Sequence, residues 1–222
     1  MAGRGREPVS PVKFDELVRV YRGADLWEAL HEPIKHLGDN QEKAGTGLGG
    51  AFAREVVFKN HAAVGLVPLA VGGSELARWE AGGDLYVAAL QHAKNAKKCG
   101  EIKAILWHQG ESDAGSLNSA KSYARRFSAM INAFRRELGQ ETLPVLVGTL
   151  GGFIDQYKGG GLCCWREVNS QIVSLPKVDS SLYVVDSTGL VDRGDGIHFN
   201  TASQQELGLR YAKAYFKIIE RR

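Results

Sequence analysis

The sequence predicts an α/β domain in which helices cover both faces of a parallel β-sheet, giving three layers. Two observations lead to this fold class. Short apolar runs, several of them rich in β-branched residues, recur along the chain, and such runs are typical of strands buried on both faces of a parallel sheet. Segments with helical periodicity lie between these runs, and alternating strands and helices indicate an α/β fold.

Four apolar runs are predicted to be strands, and polar or glycine-rich turns follow them. The runs cover residues 62–71, 102–107, 144–150 and 182–185. The turns after the first three are Gly72-Gly73-Ser74, residues 108–113 and Gly151-Gly152. Sites in parallel sheets form at the C-terminal ends of the strands. We therefore expect these turns to share one sheet edge with an Asp-x-x-His turn that follows the last strand.

Apolar residues at three- to four-residue spacing predict five helices. They cover residues 48–59, 84–98 and 117–138, a shorter segment around Val168, and a last helix from about Thr201. Asp84 is a suitable N-cap for the second helix, and Ser116 or Asn118 for the third. Short polar side chains at these positions accept hydrogen bonds from the first free N–H groups of a helix.

Length and composition indicate a single domain over residues 1–222. The chain is 44% hydrophobic and 24% charged, which is ordinary for a soluble globular protein. The net charge of +3, with acidic and basic residues intermixed, argues against a nucleic-acid partner. No stretch has the length of a membrane span or of a signal core. A cytoplasmic location is favoured, but it stays open because a lost N-terminus could carry a targeting signal.

The three cysteines do not form a recognisable disulfide framework or metal site. Cys163 and Cys164 are adjacent, and Cys99 would remain unpaired. The spacing does not match that of a zinc site either. The sequence therefore predicts that the three cysteines are small buried hydrophobic side chains and that the protein works in a reducing compartment. It predicts no bound metal and no cofactor.

An acid and a histidine in Asp195-Gly196-Ile197-His198 form the strongest candidate for catalysis. Asp195 can orient one imidazole nitrogen while the other takes a proton from a hydroxyl, as in serine hydrolases. The alternative is a surface histidine beside an aspartate that starts a turn. Trp79, Trp107 and His108 are further residues that could line a cleft, although aromatic side chains near a sheet edge are often part of the core.

The glycine pair Gly72-Gly73 offers backbone N–H groups that suit an oxyanion hole. Gln109 could add an amide donor, and Glu111 lies beside it in the same turn. The alternatives are a plain glycine turn and ordinary polar loop residues.

A nucleophile is harder to place. Ser112 stands in Gly110-Glu111-Ser112-Asp113-Ala114, which imitates the Gly-x-Ser-x-Gly elbow of α/β-hydrolases. An elbow leads directly into a helix, whereas residues 113–116 resemble a loop. Ser74 is the other serine at the expected sheet edge.

Together these motifs resemble the SGNH hydrolases of the sialate O-acetylesterase-like group, which includes carbohydrate acetyl esterases. The similarity spans nearly the whole chain, and its most specific part is the block of residues 107–113, Trp-His-Gln-Gly-Glu-Ser-Asp. The resemblance implies a flavodoxin-like fold and cofactor-free hydrolysis of acetyl esters on sugars. Asp195 and His198 would be acid and base, Gly73 an oxyanion donor, and Gln109 its side-chain counterpart. Ser112 would then be a supporting residue.

In this family the nucleophile lies in Gly-Gln-Ser-Asn, which usually runs on into Met-Ala-Gly. The present sequence opens Met1-Ala2-Gly3, so the serine and its strand are expected to be missing. A reading frame started at an internal methionine is the favoured explanation; a shortened inactive paralogue and a substitute serine at Ser112 or Ser74 are the others. The expected function is a carbohydrate O-acetylesterase impaired as written. The alternatives are an α/β-hydrolase that uses Ser112 and a non-catalytic sugar-binding protein.

Overall fold

The structure is a computed structural model that describes residues 3–38 and 40–220. Its described residues form two compact units. The first unit combines parts of Met1–Gly72 and Gly189–Arg222, and the second is Gly73–Thr188. That the whole of residues 1–222 acts as one domain stays a prediction.

The first unit contains a three-stranded sheet and two long helices. Strand β1 (Val18–Gly23) pairs antiparallel with β2 (Leu26–Ala29) and parallel with β3 (Val64–Leu66). Helix α1 (Leu48–Asn60) packs against the last helix, α5 (Thr201–Ile219). The two helices approach closely because Gly208 has no side chain; a Cβ there would lie 2.4 Å from the carbonyl oxygen of Leu48.

The second unit has a parallel three-stranded sheet with three helices. Strands β4 (Ile105–Trp107), β5 (Val145–Gly148) and β6 (Leu182–Val185) lie in the order β4-β5-β6. The helices are α2 (Asp84–Ala96), α3 (Leu117–Leu138) and α4 (Trp165–Ser174), and α3 packs against both others. The central strand β5 is buried along its whole length, as its continuous apolar sequence requires.

Short 3₁₀ helices connect these elements. They are Asp15–Leu17, Gln41–Lys43, Leu76–Arg78, Glu111–Asp113, Gly152–Gln156 and Leu175–Lys177. The edge strands are β2 and β3 in the first sheet and β4 and β6 in the second, and each pairs with one other strand among the described residues. The residues of β3 and β4 are accordingly only partly buried or exposed, unlike those of β5.

The α/β class with parallel strands is confirmed, and so are all four predicted strands and all five helices. Helix α3 has the predicted bounds, and the Ser116 side chain caps it by accepting a hydrogen bond from the N–H of Ser119 at 3.2 Å. The strand predicted over 62–71 covers only Val64–Leu66, and Pro68, which lacks the N–H that a strand needs, prevents its continuation toward residue 71. The hairpin β1–β2 was not predicted.

Two sequence predictions are wrong. Gly83, not Asp84, occupies the N-cap of α2, and the Asp84 carboxylate instead accepts a hydrogen bond from Nε of Arg78 at 3.1 Å. The cysteines are not buried: Cys99 and Cys163 are exposed and Cys164 is half-buried, because all three lie outside the regular elements. In the described part of the chain, no helix is both long and apolar enough to span a membrane.

Candidate active site

The Asp195 carboxylate is held by four hydrogen bonds in a tight turn before α5. Its Oδ1 accepts from the backbone N–H groups of Ile197 at 3.0 Å and His198 at 2.8 Å. Its Oδ2 lies 2.8 Å from Nδ1 of His198 and accepts from Nε of Arg193 at 2.6 Å. The spacing Asp-x-x-His is what allows one carboxylate to bind both the backbone and the ring of the same histidine.

Electrostatics favour the ionised form of Asp195. Partial burial alone would raise the pKa of this carboxyl. The hydrogen bonds from the His198 backbone and ring, from Arg193 and from Ile197 outweigh burial and hold the pKa well below its usual range. An anionic Asp195 accepts the Nδ1–H of His198, which leaves Nε2 able to take a proton. About a third of the His198 side chain is exposed, so a substrate or nucleophile can reach the ring.

Arg193 is a member of this turn that sequence reasoning missed. Its Nε binds Asp195, and its Nη1 donates to the carbonyl oxygen of Arg4 at 2.8 Å. The guanidinium therefore connects the acid with the segment near the N-terminus. An arginine two residues before an aspartate gives no signal by itself, because its second partner lies 189 positions away.

The Gly72-Gly73 turn leaves a backbone donor accessible. Gly73 adopts a φ of +73°, which favours glycine, and a Cβ built there would meet nothing within 4 Å. Among the described residues, no acceptor is recorded for its N–H group, as an oxyanion donor requires.

Ser74 is not arranged as a nucleophile. The residue is buried, and its Oγ accepts a hydrogen bond from Nε1 of Trp79 at 2.9 Å. Its carbonyl oxygen accepts from Nε2 of Gln109 at 3.0 Å. The hydroxyl and the carbonyl of Ser74 thus attach this turn to Trp79 and Gln109.

Gln109 is fixed through its whole side-chain amide. Nε2 donates to the Ser74 carbonyl and, at 2.7 Å, to Oδ2 of Asp113. Oε1 lies 3.1 Å from the hydroxyl of Tyr123, which can donate to it. Both N–H groups of the amide are therefore engaged, and donation to an oxyanion would require one of these bonds to break. The predicted oxyanion role of Gln109 stays a prediction.

Asp113 is the centre of the polar network in the second unit, and it too was missed. Its side chain is almost fully buried, and Oδ2 also accepts from the N–H of Leu76 at 2.9 Å. Oδ1 accepts from Nη1 of Arg126 at 3.1 Å and from Oγ of Ser119 at 3.3 Å. The carboxylate thus joins the segment after Gly73 to α3. Its place in the 107–113 block was the only available signal.

The turn after β4 does not have the form of a nucleophile elbow. Glu111 and Ser112 lie in the 3₁₀ helix Glu111–Asp113, and α3 begins only at Leu117. His108, which could have lined a cleft, is buried, and burial lowers its pKa to about 3. A neutral ring in the interior is better explained as part of the core. No group of three or more His, Cys, Asp or Glu that could hold a metal occurs within 3–38 and 40–220.

The predicted site residues fall into two sets. The structure brings Asp195 and His198 together in the first unit. In the second unit, Gln109 holds the backbone of Ser74, one residue after Gly73, and Glu111 and Ser112 follow in the next turn. That both sets serve one active site stays a prediction.

Comparison with known proteins shows which family this chain belongs to. Residues 1–217 match the family described as carbohydrate esterase, sialic acid-specific acetylesterase. A probable carbohydrate esterase of Arabidopsis thaliana is 36% identical over 200 residues, which cover 86% of this chain and 72% of the relative. An X-ray structure of that Arabidopsis protein superimposes with a TM-score of 0.85 at 33% identity, covering 98% of this chain and 93% of the other.

Two more distant structures share the fold. A carbohydrate acetylesterase from Xanthomonas citri matches with a TM-score of 0.66 at 22% identity, over 89% of this chain and 48% of the other. A lipase/acylhydrolase from Enterococcus faecalis matches with a TM-score of 0.55 at 14% identity, over 77% and 85%. The chain therefore has the flavodoxin-like three-layer fold of SGNH-type hydrolases, as the sequence predicted. Within that class, it belongs to the carbohydrate esterase, sialic acid-specific acetylesterase family.

Proposed function

We propose that this protein is a carbohydrate O-acetylesterase of the serine-hydrolase type, with an acetylated sugar or small ester as its substrate. The observation that carries the proposal is the Asp195 carboxylate, ionised and bonded to Nδ1 of His198 at 2.8 Å. The family match and the Arabidopsis relative, a probable carbohydrate esterase, support this substrate class.

In the proposed reaction, Nε2 of His198 removes the proton from a serine hydroxyl, whose oxygen attacks the acetyl carbonyl carbon. The N–H of Gly73 stabilises the negative charge that develops on the carbonyl oxygen, with Gly72, Gln109 and Glu111 as further binding groups. The imidazolium, balanced by Asp195, then protonates the departing sugar oxygen as the C–O bond breaks. Water, activated by the same histidine, hydrolyses the acetyl-serine and releases acetate.

We also propose that the 222 residues as written are impaired because they hold no suitable nucleophile. The sequence contains no Gly-Gln-Ser-Asn. No serine of the described residues hydrogen-bonds to His198, and the Ser74 hydroxyl is engaged by Trp79. Loss of the nucleophile from a serine hydrolase lowers turnover by about 10⁶-fold.

The test compares two proteins in the hydrolysis of an aryl acetate and in acetate release from acetylated xylan. One is the chain as written, and the other carries an apolar strand ending in Gly-Gln-Ser-Asn directly before Met1. We expect activity only in the extended protein, and we expect either His198→Ala or replacement of the added serine by alanine to abolish it.

Three other outcomes would contradict parts of the proposal. Full activity of the chain as written would show that it holds its own nucleophile, and Ser112→Ala and Ser74→Ala would then identify it. Activity of the extended protein that survives His198→Ala would remove the proposed base. Sugar binding by the extended protein without acetate release would favour the non-catalytic alternative.

A further inference from the structure

Two adjacent thiols are accessible to solvent just before helix α4. Cys163 is exposed and Cys164 is half-buried. Their Sγ atoms lie 3.3 Å apart, so the two sulfurs are in contact. The esterase proposal uses neither residue.

The backbone fixes this pair at both ends. The N–H of Cys164 donates to the carbonyl oxygen of Ala114 at 3.0 Å, and the Cys164 carbonyl accepts from the N–H of Val168 at 3.1 Å. Cys164 is the N-cap of α4. The Sγ of Cys163 lies 3.9 Å from the carbonyl oxygens of Ala114 and Gly115. These contacts hold the backbone of the pair in place, so the spacing of the two thiols is fixed by the structure around them.

The sulfur separation discriminates between possible occupants. Adjacent Cα atoms are about 3.8 Å apart across a trans peptide, below the range of about 4.4–6.8 Å typical of disulfides. A tetrahedral zinc ion with bonds of about 2.3 Å would hold two sulfurs about 3.8 Å apart and would need further ligands. Two bonds of about 2.3 Å that meet near a right angle place the sulfurs about 3.3 Å apart. This last geometry is that of a pyramidal trivalent centre.

We propose that Cys163 and Cys164 form a dithiol site that captures a pyramidal trivalent centre of the organic arsenical class. In the capture step, an arsenoxide R–As=O reacts with both thiols. Two As–S bonds form, the As–O bonds break, and the two thiol protons leave with the oxygen as one water molecule. No oxidation occurs.

The electrostatics of the pair disfavour its oxidation by peroxides. The neighbouring Cys163 thiol raises the pKa of Cys164. Cysteines that react readily with peroxides have a lowered pKa, so this thiol is poorly suited to that role. The raised pKa slows the attack on an arsenoxide as well, so capture depends on the second thiol that closes the ring rather than on the reactivity of either thiol alone.

Phenylarsine oxide and the reduced full-length chain test the proposal by intact mass spectrometry. We expect one adduct per chain, with the mass of the reagent less one water, and a fall in free thiols from three to one. A monothiol should not remove the adduct, whereas 2,3-dimercaptopropanol should. Cys163→Ser and Cys164→Ser should each abolish capture, while Cys99→Ser, the matched exposed single cysteine, should retain it.

Several results would overturn the proposal. They are an adduct that persists in Cys163→Ser or Cys164→Ser, loss of the adduct in Cys99→Ser, and absence of an adduct in the reduced wild-type chain. Circular dichroism confirms that each variant is folded, and Cys163→Ala replaces a serine variant that is not. The folded chain should also capture the reagent at lower concentration than the chain unfolded in urea. Equal capture by the two states would show that the arranged spacing contributes nothing.

Discussion

Nε of Arg193 lies 2.6 Å from Oδ2 of Asp195, the same oxygen that lies 2.8 Å from the ring of His198. The proposed acid of the dyad is therefore shared between a permanent cation and the imidazole. Arg193 also donates to the carbonyl oxygen of Arg4. Its position keeps the carboxylate ionised and ties the turn to the segment near the N-terminus.

Replacing Arg193 by glutamine should raise the pKa of Asp195. The change removes one of the hydrogen bonds that lower this pKa, together with a nearby positive charge. The Asp195 carboxyl ¹³C resonance of the wild-type protein should stay at its ionised position from about pH 7 to pH 3. In the variant, the resonance should begin to shift within this range, because the pKa of Asp195 moves toward the usual aspartate pKa of about 3.9.

Arg210→Gln is the matched control, because Arg210 pairs with Glu206 on an exposed face of α5. It should leave the Asp195 resonance unchanged. A variant Arg193→Gln whose Asp195 resonance follows the wild-type curve would show that the guanidinium does not act on this carboxylate.

Asp195→Asn should destabilise the protein at neutral pH and much less in acid. The folded-state pKa of Asp195 lies below its unfolded value, so its contribution to the free energy of unfolding is present above the unfolded pKa. That contribution is lost as the pH falls through the folded pKa. Hydrogen bonds to a charged group contribute about 1.5–3 kcal/mol each, and asparagine keeps some of them, so we expect a loss of about 1–3 kcal/mol at pH 7.

Urea unfolding of both proteins over a series of pH values checks this prediction. The gap between wild type and Asp195→Asn should narrow as the pH falls below the unfolded pKa of about 3.9. A gap that stays constant from neutral to acid pH would mean that the ionised carboxylate does not stabilise the fold.

Asp113→Ala should destabilise the protein more than the removal of any one of its partners. The substitution leaves the Leu76 N–H and one Gln109 N–H without their acceptor and takes a partner from Arg126. Unsatisfied buried groups cost about 1–3 kcal/mol each, and Arg126 keeps Glu80, so we expect a loss of about 3–5 kcal/mol in the free energy of unfolding.

Ser119→Ala serves as the comparison for Asp113→Ala. It removes only the 3.3 Å contact with Oδ1, and it should cost about 1 kcal/mol or less. Denaturant unfolding measures both variants. Equal losses in the two would show that Asp113 is not the centre of this network.

The sequence predicted those features that depend on local patterns. Helix α3 matched at both ends because its apolar residues recur along the helix itself, and because the Ser116 cap and a left-handed Gly139 each act on the turn next to them. The Asp195–His198 contact follows from a three-residue spacing in the same way. Both belong to the class of features that a single stretch of chain specifies.

Other features depend on partners that are distant in sequence. Gln109 resembled a free amide until the structure showed it bonded to the Ser74 carbonyl, 35 residues earlier. Nothing near Arg193 indicates its bond to Arg4. The hairpin β1–β2 is local, but it was missed because Ala24 and Asp25, which both adopt positive φ values in its turn, are not the glycines that usually mark such a turn.

Gly208→Ala should destabilise the packing of α1 against α5. A Cβ at this position would lie 2.4 Å from the Leu48 carbonyl oxygen and 2.8 Å from Cβ of Ala51. The first of these contacts is with backbone, so the helices must separate. Overpacking of this kind costs about 1–3 kcal/mol, which exceeds the gain of about 0.5–1 kcal/mol that alanine normally brings to a helix interior.

Gly49→Ala in α1 separates the cost of overpacking from the gain in helix propensity. Its Cβ would meet only side-chain atoms of Ile34 and Leu66 at ordinary contact distances of 3.6 and 3.9 Å. The helix-propensity gain should therefore dominate, and the protein should become slightly more stable. Thermal or urea unfolding compares the pair. If both alanine variants were stabilised, the close approach of α1 and α5 at Gly208 would not restrict the packing, because the helices could separate at no measurable cost.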